Sequence, residues 1–107
     1  MTESEFEDCA GRALAALETA FEAGAPDADV QVKGGGVLEV EFDNGSKMVI
    51  NRHAAAREIW VAARSGGFHL RYDGAGWRDT RGGEELFALV SRLASEQSGE
   101  PILLKAP

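Results

Sequence analysis

One cysteine, three prolines and a single tyrosine are all that the 107 residues hold of those types. Cys9, alone, excludes an internal disulfide framework and any Cys-rich zinc or iron–sulfur site within one chain. No apolar run is long enough to cross a bilayer, and the acidic opening MTESEFED lacks the basic-then-apolar pattern of a secretory signal. Both absences lead us to expect a cytoplasmic protein. Basic residues are outnumbered, 11 against 18 acids, for a formal charge of −7. That balance argues against nucleic acid and anionic membranes, which are bound through Lys and Arg, and favours cations or a basic protein surface. No G-x-S-x-G, Walker or G-x-G-x-x-G pattern occurs, and the two histidines, His53 and His69, have no nearby cysteine. The expectation is a protein that is not an enzyme by itself.

The charge that is present is unevenly placed. Residues 1–29 carry eight acids and one base, whereas residues 47–81 carry seven bases and three acids. Length and a hydrophobic fraction of 44% fit one domain over residues 1–107.

Phe6, Ala10, Ala13, Leu17 and Phe21 recur at steps of three and four with Leu14 beside them, the pattern of an amphipathic helix. Thr2 and Glu5 have the capping-box spacing, and Gly24 and Pro26 mark the end. Short alternating runs follow. Leu38, Val40 and Phe42 share one face of the second run, and Asp43-Asn44-Gly45-Ser46 is a hairpin turn leading to Met48 and Ile50. In EIWVAAR, Ile59, Val61 and Ala63 point inward. Glu58, Trp60, Ala62 and Arg64 take the other face, expected to be wet because it carries both charges. FHLRYD places Phe68, Leu70 and Tyr72 inward, and WRDT is a short last strand. A second helix is expected from Gly83, with Glu84 and Glu85 in its first turn and Leu86, Phe87, Val90, Leu93 and Ala94 as its stripe. The order helix, five or six meandering strands, helix gives an α+β two-layer sandwich: an antiparallel sheet with both helices on one face and the other face open.

Three sets of residues carry chemistry. Glu3 with Glu7 and Glu18 with Glu22 are like-charged i,i+4 pairs, and Asp27 and Asp29 continue the series. Such a ridge either holds hard cations loosely through carboxylate oxygens or is a solvated face. Trp60, with Asn51 and Arg71 on neighbouring strands, makes a surface rich in the residues that anchor interfaces. Cys9, His53 and His69 form a weaker set, able in principle to ligate a metal or a haem.

The segments GGVL, DNGSK followed by INR, IWVAA and SGGFH, and the later GW, resemble the frataxin family in its bacterial form. The opening SEF and the GE before the tail agree, so that the resemblance spans nearly the whole chain. It implies an α-β-meander-α sandwich and a role in iron–sulfur cluster assembly. It further implies weak iron binding through Glu18, Glu22, Asp27 and Asp29, with Glu3 and Glu7 nearby. Docking on the complex of cysteine desulfurase and scaffold would use Asn51, Trp60 and Arg71. The implied protein is a monomer that tunes sulfur transfer, with metal-dependent oligomers open. Alternatives are an iron chaperone or store for ferrous iron, and a haem-responsive member. Trp60 would then be exposed until a partner covers it. Departures are Gln31 and Lys33 where relatives often keep acids, Thr19, Ala23 and Ala25 along the ridge, and His53 where a glutamine is common. The first two lower the implied iron capacity.

Overall fold

Thr2 starts the first helix as the spacing predicts. In a computed structural model describing residues 1–107, its hydroxyl accepts from Glu5 N at 3.1 Å, and the Glu5 carboxylate accepts from Thr2 N at 2.7 Å. With its first orphan donors met, helix α1 runs from Glu3 to Gly24 and buries Phe6, Ala10, Leu14, Leu17, Ala20 and Phe21.

Six strands follow: β1 Asp29–Lys33, β2 Val37–Glu41, β3 Lys47–His53, β4 Glu58–Ala63, β5 Gly66–Tyr72 and β6 Trp77–Asp79. They lie in chain order, each antiparallel to the last. Leu38 pairs with Ile50 and Ile50 with Val61, so one face collects the apolar residues. Helix α2, Leu86–Ser98, packs on that face beside α1. The core between the layers contains 22 buried residues and includes Trp77, whose ring meets Phe6 edge-on at 5.9 Å. Leu104 in the tail is 3% exposed and closes the edge, held by its N–H donating to Ser91 Oγ at 2.9 Å.

Three local expectations change, and one turn joins them that the sequence analysis did not address. Helix α2 begins at Leu86, not near Gly83, because Glu85 is its cap rather than a first-turn residue. The Glu85 carboxylate accepts from Phe87 N and Ala88 N, while Glu84 turns away to Arg92. Tyr72, expected inside, is on the surface with its ring tilted against Trp77 at 5.4 Å, because β5 there has only the three-residue β6 beside it. The stretch between β3 and β4 forms a 3-10 turn, Ala54–Ala56, capped by His53 Nδ1 accepting from Ala56 N. Finally, Glu58 sits on the outer face but is only 5% exposed, so its charge does not mark a wet position.

Candidate docking face and acidic ridge

The antiparallel register aligns the outward side chains in rows across the sheet. Val37, Asn51, Trp60 and His69 occupy one row, and His53 lies opposite Glu58 in the next. Trp60 is therefore flanked by an imidazole from each neighbouring strand. His53 stacks on one face of the indole at 3.8 Å between centroids and 9° between planes; His69 stacks on the other at 4.5 Å and 10°. Trp60 is thus half-buried within the free chain, where the sequence led us to expect an exposed ring awaiting a partner. Its edge, the small residues beside it, Ala62 and Gly67, and the exposed Arg71 are what the face offers outward.

Beneath this stack lies Glu58. Its Oε1 accepts from Trp60 Nε1 at 2.9 Å, and its Oε2 accepts from Arg71 Nε at 2.7 Å. His69 Nδ1 stands 3.6 Å from the same carboxylate. Burial pushes the Glu58 carboxyl pKa up, but the hydrogen bonds from Trp60 and Arg71 and the charges of Arg71 and His69 outweigh it, and the group stays below the usual glutamate range. A buried carboxylate with a donor on each oxygen fixes the side chains that hold it. Asn51, the Cα partner of Trp60, turns its amide to Arg52 O at 3.3 Å.

Sequence reasoning named Asn51, Trp60 and Arg71 and missed Glu58 and the stacked role of both histidines. The signal was the register between strands, which sets His53 opposite Glu58 and Trp60 opposite His69; strand parity gives only their shared face. Cys9 is a half-buried free thiol on α1 packed against the core.

The acidic residues form no cage. Glu3, Glu22, Asp27 and Asp29 are exposed and Glu18 is partly so, and no three Asp, Glu, His or Cys side chains converge on a point where an ion would sit. Two members are engaged elsewhere. Glu7 Oε2 meets Arg52 Nε at 3.0 Å, and Asp29 accepts from Gln31 Nε2 at 3.3 Å. The Arg52 side chain crosses from β3 to α1 over Gly36, whose φ of +78° and close approach to that side chain leave no room for a Cβ. Glu18 borders a shallow groove with Lys33, Val37 and Arg52. What the ridge can do chemically is hold a hard cation by single carboxylates and water, with cations of similar hardness competing.

No helix is long and apolar enough to cross a membrane. The family model of the Frataxin-like domain matches residues 1–100. The iron-sulfur cluster assembly protein CyaY of Dechloromonas aromatica is 54% identical over 105 residues, covering 98% of this chain and all of that protein. The frataxin of Psychromonas ingrahamii superposes with a TM-score of 0.88 at 30% identity, over 98% of this chain and 99% of that one. The trimeric frataxin of the yeast Saccharomyces cerevisiae, complexed with ferrous iron, shares the fold at a TM-score of 0.66 and 24% identity, over 94% of this chain and 88% of that one. A match to the domain over nearly the whole length, with the two-helix, six-strand sandwich that goes with it, makes this chain a member of the frataxin family.

Proposed function

We propose that the chain is an iron-binding regulator of iron–sulfur cluster assembly. It docks on the cysteine desulfurase–scaffold complex through the sheet face around Trp60 and changes sulfur transfer in response to iron. The observation that carries this reading is the organised outer face: Trp60 and Arg71, residues of interface type, are tied to one buried carboxylate on a sheet surface that no helix covers. The name borne by the CyaY relatives, iron-sulfur cluster assembly protein, supports the setting. Iron enters as cargo or effector, held weakly by Glu18, Glu22, Asp27 and Asp29, with Glu3 nearby. Glu7 contributes less, because Arg52 already holds it. On this reading the chain catalyses nothing itself and acts in the cytoplasm as a monomer, with metal-dependent oligomers at high iron.

A second reading, delivery or storage of ferrous iron, draws on the ridge alone, where the carboxylates are exposed and open to exchange. Haem ligation is the least supported alternative, since the Nδ1 of His53 accepts from Ala56 N and the Nδ1 of His69 faces the Glu58 carboxylate. The discriminating experiment measures desulfurase turnover on the desulfurase–scaffold complex with and without this protein, at zero and at added ferrous iron. A change in turnover without iron supports docking. No binding and no change under either condition removes the regulator reading and leaves iron delivery.

A further inference from the structure

Four lysine and arginine side chains of the open sheet face are paired with acids, and only one of the four is held by a buried acid. Lys33 and Lys47 both reach Glu39, at 3.4 and 3.6 Å, and Arg78 Nε lies 3.5 Å from Asp73. Arg71 differs. Its Nε is fixed at 2.7 Å by Glu58, which is 5% exposed, while the Arg71 side chain itself is 70% exposed. Its two terminal nitrogens make no hydrogen bond within the molecule. A guanidinium has five N–H donors in a rigid fork. Glu58 takes one and leaves the four on the terminal nitrogens, two of which form the end-on edge, already oriented. We propose that Arg71, oriented by Glu58, is a receptor for a carboxylate: the partner inserts an acidic side chain against the outer fork of Arg71, beside the edge of Trp60. This rests on the docking reading above and specifies the partner's chemistry.

Three observations support a carboxylate. The end-on edge of a guanidinium matches the two oxygens of a carboxylate in a bidentate pair. The neighbourhood is basic: Arg57, Arg78, His53 and His69 surround the site, while the acids there are the buried Glu58 and Asp73, the latter near Arg78. Prior fixing of Arg71 removes part of the rotamer entropy that docking would otherwise lose. Lysine in this place would spend its one ammonium on Glu58 and present no fork, which makes Arg71→Lys the discriminating variant.

Three measurements test the proposal. In the free protein, side-chain 15N relaxation should show Arg71 Nε as rigid as the backbone and distinctly more rigid than Arg64 Nε, with the difference lost in Glu58→Gln. An Arg71 as mobile as Arg64 in the native chain overturns the orientation. Titration of the free protein with N-acetylglutamate amide, a simple carboxylate, should shift the Arg71 resonances and spare Arg64; equal shifts overturn the receptor. On the desulfurase–scaffold complex, Arg71→Lys should weaken binding by about tenfold or more while its melting temperature stays within about 2 °C of the native protein. Arg71→Glu should abolish binding, and one Asp→Lys or Glu→Lys substitution on the complex should restore it. If Arg71→Lys binds like the native protein, or no acidic position on the complex restores Arg71→Glu, the proposal falls. A native chain that ignores the complex yet shifts Arg71 with the free carboxylate refutes the docking reading and leaves the receptor standing.

Discussion

Trp60 sits between two imidazoles with its N–H on a buried carboxylate, and that position sets what its substitution does. Strand parity puts the ring outside the core, which on its own predicts that truncation spares the fold. The stack revises this. Trp60→Phe keeps a ring between His53 and His69 and removes only the bond to Glu58 Oε1, a cost of about 1.5 kcal/mol for a hydrogen bond to a charged group. Trp60→Ala also uncovers both imidazoles and Glu58, and should cost about 2–3 kcal/mol. Urea melts of the two variants separate these values; equal losses would mean that the stack contributes nothing. Glu58 gives the pH dependence. Its pKa is lower folded than unfolded, so its contribution is complete above the unfolded value, about 4.3 for a free glutamate, and disappears as the pH falls through the lower folded value. Glu5, held down by the N–H of Thr2, and Asp73, held down by those of Ala75 and Gly76, act with the same sign. The contribution of these three carboxylates should therefore be complete above about pH 4.3 and fall below it. In Glu58→Gln the fall should be shallower, as read from urea midpoints across that range.

At the level of elements, the two helices and the sheet are held together at a few polar points as well as by the core. Gln97, on α2 and 4% exposed, donates from Nε2 to Lys47 O at 2.8 Å and accepts at Oε1 from Arg64 N at 3.0 Å, while its own carbonyl accepts from Asn44 Nδ2 at 2.7 Å. The Gln97 side chain thus ties the helix to β3 and to the end of β4, and its backbone carbonyl, through Asn44, to the β2–β3 turn. Gln97→Ala leaves a backbone donor and acceptor without partners and should cost about 1–3 kcal/mol. At the other end of α2, Glu85→Ala removes the cap and should cost about 1 kcal/mol, whereas Glu84→Ala, which releases only the surface partner of Arg92, should cost well under that. Calorimetric melts rank the three. The helices and the strand faces were legible in the sequence because periods near 3.6 and 2 are properties of the backbone. Their limits were less so. Glu84 and Glu85 each fit a first turn, and the choice falls to the reach of Arg92 and to the N–H groups of Phe87 and Ala88. The burial of Glu58 was illegible for a related reason. It depends on Trp60, Arg71 and His69 closing over it from β4 and β5, and no periodicity along one strand encodes that.

For the whole molecule, the excess of acids over residues 1–29 and of bases over 47–81 leaves α1 with unrelieved repulsion between Glu18 and Glu22. Neither acid has an ion-pair partner. Neutralising both, Glu18→Gln with Glu22→Gln, should leave the fold intact and raise stability by a few tenths of a kcal/mol, about 0.2–0.5 for one such pair. The same variant should weaken ferrous binding in isothermal titration. In the native chain that binding should weaken markedly as salt is raised from about 0.01 to 0.15 M, where screening shortens from about 30 to 8 Å. One tight site indifferent to salt would contradict a ridge of separate carboxylates. The placement of the two tryptophans has a further consequence. Trp77 is 5% exposed in the core against Phe6, and Trp60 lies on the open face between two histidines. The chain's intrinsic ultraviolet emission therefore has two sources that answer to different events. Light from Trp77 follows unfolding, whereas light from Trp60 follows whatever touches the sheet. With Trp77→Phe, the remaining emission becomes a label-free optical monitor of contact at the sheet face, and so a direct readout for the docking proposed there.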